Sequence, residues 1–140
     1  MGVFRDDLAE FPLFSEVSRS EMAIVRRHLT PLRVPAGRVL VQEGTRGDEF
    51  MIIADGQATV SQDGQTVATL GRGDLVGEMA LLDPDGFGRR NATVTVDTDA
   101  VIYAGSRAEF RQILASAPSV ARKVRETAAL RSAPTEQIAA

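Results

Sequence analysis

Two segments of this chain carry residue types suited to gripping a small anion: Gly77-Glu78-Met79-Ala80-Leu81-Leu82 and, downstream, Arg90-Asn91-Ala92-Thr93. The first places a glycine and then an acid at the entry to a short expected helix. The unpaired backbone N–H groups and positive dipole end of such a helix suit an anion. Arg90 brings a permanent charge and a planar fork of donors that matches phosphate oxygens. Glu78 is an acceptor only when ionised, which suits the hydroxyls of a ribose. A phosphate grip beside a sugar grip implies a nucleotide.

These residues need a scaffold, and the pattern around them is mostly that of strands. Short β-rich runs at Arg38–Gln42, Glu49–Ala54, Gln57–Gln62, Thr66–Leu70, Asn91–Val96 and Asp99–Ala104 are separated by glycines. They recur about every 8–12 residues, the rhythm of an antiparallel sandwich or barrel, and Asp63-Gly64 is a hairpin-turn dipeptide. Val39, Leu40, Phe50, Ile52, Val60, Leu70, Val94 and Ile102 are its expected core. Helical patterning brackets this region. Residues 11–30 carry the capping-box spacing Ser18-Arg19-Ser20-Glu21, with Met22, Val25 and Leu29 at helical intervals, and Pro31 stops the pattern. Ser106-Arg107-Ala108-Glu109 is a second capping box, and Pro118 suits the first turn of a last helix running to about Arg131. Residues 1–131 therefore read as a single domain, and 132–140, small and polar, as a frayed tail.

The strand region also carries Pro35-Ala36-Gly37-Arg38-Val39-Leu40, then Glu43-Gly44-Thr45-Arg46-Gly47-Asp48-Glu49-Phe50, then Ile52, Gly56 and Val60. Taken in order with the segment from Gly77 to Thr93, these motifs resemble the cyclic nucleotide-binding domain family, over residues 11–131. Several motifs in register are far more specific than one glycine-rich match. The resemblance extends to the domains of bacterial cyclic nucleotide-gated channels and of cAMP receptor proteins. It implies a mainly β fold, an eight-stranded jelly-roll β-barrel with N-terminal and C-terminal α-helices, and a sensor whose last helix moves when a ligand binds.

Carried over residue by residue, the resemblance gives Glu78 the ribose 2′-hydroxyl and Arg90 the exocyclic phosphate oxygens. Backbone N–H groups near Ala80 and Leu81 complete the cradle, Gly77 permits close approach, and Met79 and Ala92 belong to the same set. The stretch Asp83–Arg89 is roughly two or three residues longer than in most of the family, as surface loops tolerate. The phosphate arginine is therefore Arg90 or Arg89, and the Arg-x-Ala-Thr spacing favours Arg90. The family often places Thr or Ser after that arginine when guanine is preferred. Asn91 stands there, and its amide both donates and accepts, so cAMP is expected with cGMP not excluded. The last helix resembles that of the bacterial channels, where an arginine lies against the purine. Arg125 is the match and Arg122, on the same face, its substitute.

Composition narrows the alternatives. Among 140 residues there is one histidine, His28, no cysteine and one lysine, Lys123. That removes thiolate metal sites, a histidine-rich metal centre of the cupin kind, a P-loop and a Ser/His/Asp arrangement, so neither a metal, a cofactor nor an enzyme activity is expected. A net charge of −3 supplies no basic field for nucleic acid, and no helix-turn-helix unit follows the last helix, so no DNA binding is expected. The absence of cysteine, of a signal-like apolar start and of any span-length apolar run suggests a soluble, cytoplasmic chain with no membrane role. The expected partners are the cyclic nucleotide and an effector domain or protein. The rival reading is a relative of the same fold that has lost the ligand and acts as a protein-interaction module.

Overall fold

The computed structural model describes residues 8–78 and 89–131. Two 3-10 turns, Leu8–Glu10 and Pro12–Phe14, lead into helix α1 (Arg19–Arg27). Strands β1 (Thr30–Val34), β2 (Val39–Val41), β3 (Glu49–Asp55), β4 (Ala58–Gln62), β5 (Gln65–Leu70), β6 (Leu75–Val76), β7 (Thr93–Val96) and β8 (Ala100–Ser106) follow, and helices α2 (Arg107–Ser116) and α3 (Pro118–Arg131) close the described chain. The strands form two antiparallel sheets in the orders β1-β8-β3-β6 and β2-β7-β4-β5. The expected mainly β fold with flanking helices is thus found, and the expected jelly-roll barrel takes the form of a two-sheet sandwich. The tail expected at 132–140 lies outside the described residues.

Local chemistry explains most boundaries. Ser18 and Ser106 both cap helices in reciprocal boxes: each hydroxyl accepts from the backbone N–H of Glu21 or Glu109, and each glutamate accepts from the serine N–H at 2.8 Å. Asp63 and Gly64 both adopt positive φ, 51° and 79°, as a two-residue hairpin turn between β4 and β5 demands. Helix in the first segment is shorter than the expected 11–30, because Phe11-Pro12 is extended into a 3-10 turn and Leu29 precedes β1. Pro31, expected only to stop a helix, lies within β1. That strand is at a sheet edge, where a missing N–H costs no ladder bond. β6 was also absent from the expected strands, being two residues long.

Within its sheet, β3 is buried on both faces. Along β3, Phe50, Ile52 and Ala54 pack toward the helices, while Met51 and Ile53 pack into the sandwich. This alternation explains the unbroken apolar run Phe50–Ala54, since both sides of the strand are covered. β6 repeats it, with Leu75 on the helical side and Val76 inside the sandwich. Phe50 and Ile52 are therefore core, but of the layer between sheet and helices. Val39, expected in the core, is 43% exposed because β2 is an edge strand.

Helix α2 is pinned to the β2–β3 loop by the Arg107 N–H, which donates to Asp48 O at 2.9 Å. Helix α3 buries Val120 and Val124 against the same layer. Lys123 Nζ donates to Pro12 O at 2.8 Å and to Ser15 Oγ, and Arg122 pairs with Glu16, tying α3 to the first turns of the chain. Ile52 is fully buried, so Ile52→Ala is expected to cost about 2–5 kcal/mol of unfolding free energy. Ser106→Ala, which removes one cap, should cost about 1 kcal/mol. Denaturant unfolding of both variants checks the order.

Candidate functional site

Strand β6 runs directly into Gly77 and Glu78, and the segment before β7 lays Arg90 beneath them. Arg90 is 7% exposed. Its Nη1 donates to Gly77 O at 2.9 Å and its Nη2 to Glu49 O at 2.7 Å. Its backbone is held equally firmly: Arg90 N–H donates to Thr45 O at 2.7 Å, and Gly44 N–H to Arg90 O at 2.9 Å. Gly77 has φ +89°, and a Cβ there would strike the Arg90 guanidinium and come within 3.1 Å of Glu49 O. Glycine is therefore needed at 77 for both conformation and space.

Glu78 is fully buried. Its Oε1 accepts from Arg131 Nη1 at 2.8 Å, and the same Nη1 donates to Leu75 O at 2.6 Å. Among the described residues, Oε2 is buried with no hydrogen-bond partner. Burial raises the Glu78 pKa above the usual carboxylate range. The Arg131 charge and hydrogen bond, the residue's own backbone and the Arg90 charge all oppose that shift. Burial likewise lowers the Arg90 pKa, against the Glu49, Asp48 and Glu78 carboxylates and with help from the Arg107 charge. Arginine keeps its charge through such a shift.

Arg107 is half-buried; its Nη2 donates to Gly47 O at 2.7 Å, while Nε and Nη1 are buried without partners. The site thus sets the guanidiniums of Arg90 and Arg131 against one fully buried carboxylate, with Arg107 beside Arg90 and the Asp48 and Glu49 side chains exposed. Such an excess of buried positive charge favours an anion. No cluster of His, Cys, Asp and Glu among the described residues is arranged to hold a metal.

Residues 31–117 match the cyclic nucleotide-binding domain family. The chain belongs to that family. A cyclic nucleotide-gated potassium channel of Rhizobium etli is 34% identical over 86% of this chain and 33% of its own length. A cAMP-dependent protein kinase regulatory subunit of Emericella nidulans is 31% identical over 83% of this chain and 28% of its own length. Among solved structures, that of Sp-2Cl-cAMPS bound to PKAR CBD2 superposes with a TM-score of 0.74 at 26% identity, covering 89% of this chain and 84% of that one. The chain spans about a third of the length of the curated relatives it matches.

Within this cyclic nucleotide-binding domain, Gly77, Glu78 and Arg90 come together as one cluster. Ala92 is fully buried in the sandwich two residues further on. Arg89 stands apart: it is exposed, its Nη1 donates to Gly44 O at 3.0 Å, and its backbone bridges Arg46. Asn91 is exposed and its carbonyl accepts from Gln62 Nε2 at 3.1 Å. Met79, Ala80, Leu81 and the loop from Asp83 to Gly88 lie outside the described residues. Arg125 is exposed on α3 and does not reach the cluster, and Arg122 is engaged with Glu16 and Glu126. The arginine that α3 brings to the site is Arg131. It shares the buried helix face with Val120 and Val124, whereas Arg125 follows Val124 by one residue and so turns away.

Sequence reasoning missed Arg131 and Arg107. The signal for Arg131 was its helical register with two valines; Arg107 carried none, being seen only as part of a capping box.

Because the folded protein holds Glu78 at a raised pKa, it binds that proton more tightly than the unfolded chain does. The sign follows: Glu78's contribution to stability is fully present below the ordinary carboxylate value and is lost as pH rises through the raised one. Glu78→Gln should therefore gain stability relative to the unchanged protein on going from about pH 4 to about pH 8. Thermal unfolding midpoints across that range, taken for both proteins, measure the difference.

Proposed function

We propose that this chain is a regulatory sensor module that binds a cyclic nucleotide, cAMP before cGMP, and signals occupancy through movement of α3. The observation that carries the reading is the Glu78 Oε2 atom, fully buried and unpartnered among the described residues, in a cluster with the Arg90 guanidinium. An unmade hydrogen bond on a buried carboxylate is costly, and a ribose hydroxyl is a donor that would complete it. Arg90 spends two of its five N–H groups on carbonyls, which leaves donors for phosphate oxygens. The backbone of Met79, Ala80 and Leu81 would supply the remaining phosphate contacts.

cAMP is preferred because the kinase regulatory subunits among the relatives are described as cAMP-dependent, and because Asn91 is not the hydroxyl residue that favours guanine. A ligand shifts a conformational equilibrium only through contacts that differ between the two states. Arg131 is such a contact, since it joins the end of α3 to the acid assigned to the sugar. The module acts by binding rather than catalysis, needs no metal or cofactor and works in the cytoplasm. It does not bind DNA or membrane itself, and it controls an effector domain or partner protein.

Calorimetric titration with cAMP and cGMP tests the reading. The unchanged protein should bind cAMP, and Arg90→Ala should weaken binding at least about tenfold, the value of a charge-assisted hydrogen bond. Arg90→Lys, which keeps the buried charge, serves as the control for folding. Arg89→Ala should alter affinity by less than about threefold, as a solvent-facing arginine does. Hydrogen exchange in α3 should change when cAMP is added. A protein that binds neither nucleotide would instead be an interaction module of the same fold.

A further inference from the structure

Arg131 is used by nothing in the sensor reading beyond its link to α3, yet among the described residues it is one of the few charged side chains that are buried. We infer that Arg131 is a positioning residue that sets selectivity for the ligand's 2′-hydroxyl, by holding one oxygen of Glu78 and leaving the other for that hydroxyl. The inference rests on the proposed function and deepens it.

The geometry separates two possible roles. An arginine that competed with the ligand would cover the carboxylate, engaging both of its oxygens. Arg131 engages Oε1 alone, and its Nη1 is simultaneously anchored on Leu75 O, in the strand that leads into Glu78. The guanidinium therefore ties the acid's side chain to the backbone of β6. Oε2 is left buried and, among the described residues, without a donor. A carboxylate fixed at one oxygen has little freedom to turn the other away, so the ordering of the acceptor precedes the arrival of the ligand.

Charge acts in the same direction. Among the described residues, two charged groups face Glu78: Arg131 from α3, and Arg90 from the segment before β7. Burial favours the neutral acid, and Arg131 is the largest influence opposing it. An ionised acceptor makes a stronger bond to a hydroxyl than a protonated one. Removing Arg131 should thus both loosen the carboxyl and let it take up a proton as pH falls. Recognition of the hydroxyl would then acquire a pH dependence, stronger at high pH and weaker at low pH.

The test compares cAMP with 2′-deoxy-cAMP, by calorimetry, on the unchanged protein and on Arg131→Ala and Arg131→Lys, at about pH 6 and about pH 8. The unchanged protein should favour cAMP by at least about tenfold at both pH values, the discrimination expected of a hydrogen bond to a charged acceptor. In Arg131→Ala the ratio should fall to about threefold or less and should be larger at the higher pH. Arg131→Lys, which restores a charge without the planar fork, should recover part of the ratio and most of its pH independence. Should Arg131→Ala fail to fold, Arg131→Gln and the lysine variant give the same comparison. An unchanged ratio in a folded variant lacking Arg131 overturns the inference, and so does tighter cAMP binding, which would mark Arg131 as a competitor. If the unchanged protein binds neither nucleotide, the proposed function falls first and this inference with it.

Discussion

The arrangement of this domain turns on two opposite charges, Glu78 and Arg90, that are buried in one cluster without being hydrogen-bonded to each other. Burial of a lone charge is among the most unfavourable events in folding, and it is tolerated only with compensating hydrogen bonds or counter-charges. Arg90 meets this demand with backbone carbonyls, Gly77 O and Glu49 O, which are neutral. Glu78 meets it with Arg131, carried in from the far end of the described chain. Because each charge is satisfied by a different neighbour, both keep unused hydrogen-bonding capacity.

The rest of the fold can be read from that constraint. Glu49 O is available because β3 pairs with β6 on one side and β8 on the other, placing its first residue beside Gly77. Gly77 must be glycine because the Arg90 guanidinium occupies the volume a side chain would need. The turn at Gly44 and Thr45 is bonded to the Arg90 backbone, which ties the loop after β2 to the segment before β7. The two-faced burial of β3 and β6 has the further effect of setting Leu75 against the helices. That brings the carbonyl of Leu75 within reach of the last residue of α3.

Coupling between site and periphery is therefore short. Arg131 lies on the same helix as Arg122 and Lys123, which bind Glu16, Ser15 and the carbonyl of Pro12. A change at Glu78 that displaced α3 would disturb contacts with the first turns of the chain. Exposed ion pairs of this type hold a helix only weakly. The buried Glu78–Arg131 contact is the stronger restraint, since it is shielded from water and breaking it leaves an uncompensated charge.

Residue order alone decided everything that depends on near neighbours. Both capping boxes, the Asp63-Gly64 turn, the period-two runs and the Gly77-Glu78 and Arg90-Asn91-Ala92-Thr93 segments were legible, since each rests on interactions a few residues apart or on fixed side-chain chemistry. The preference for Arg90 over Arg89 came from its spacing to Ala92 and Thr93, and the fold buries Arg90 while leaving Arg89 exposed. Strands β1 and β6 were not: one contains a proline that only an edge position accommodates, and the other is too short to show a period. The strand rhythm left sandwich and barrel both open, and which strands share a sheet was hidden, because pairing partners far apart in the chain are chosen by packing. The same limit hid the contact of Arg131 with Glu78, because a sequence does not tell Arg131 from Arg125. The two arginines are chemically identical, and only the docking of α3 through Val120 and Val124 determined which one would meet a buried carboxylate.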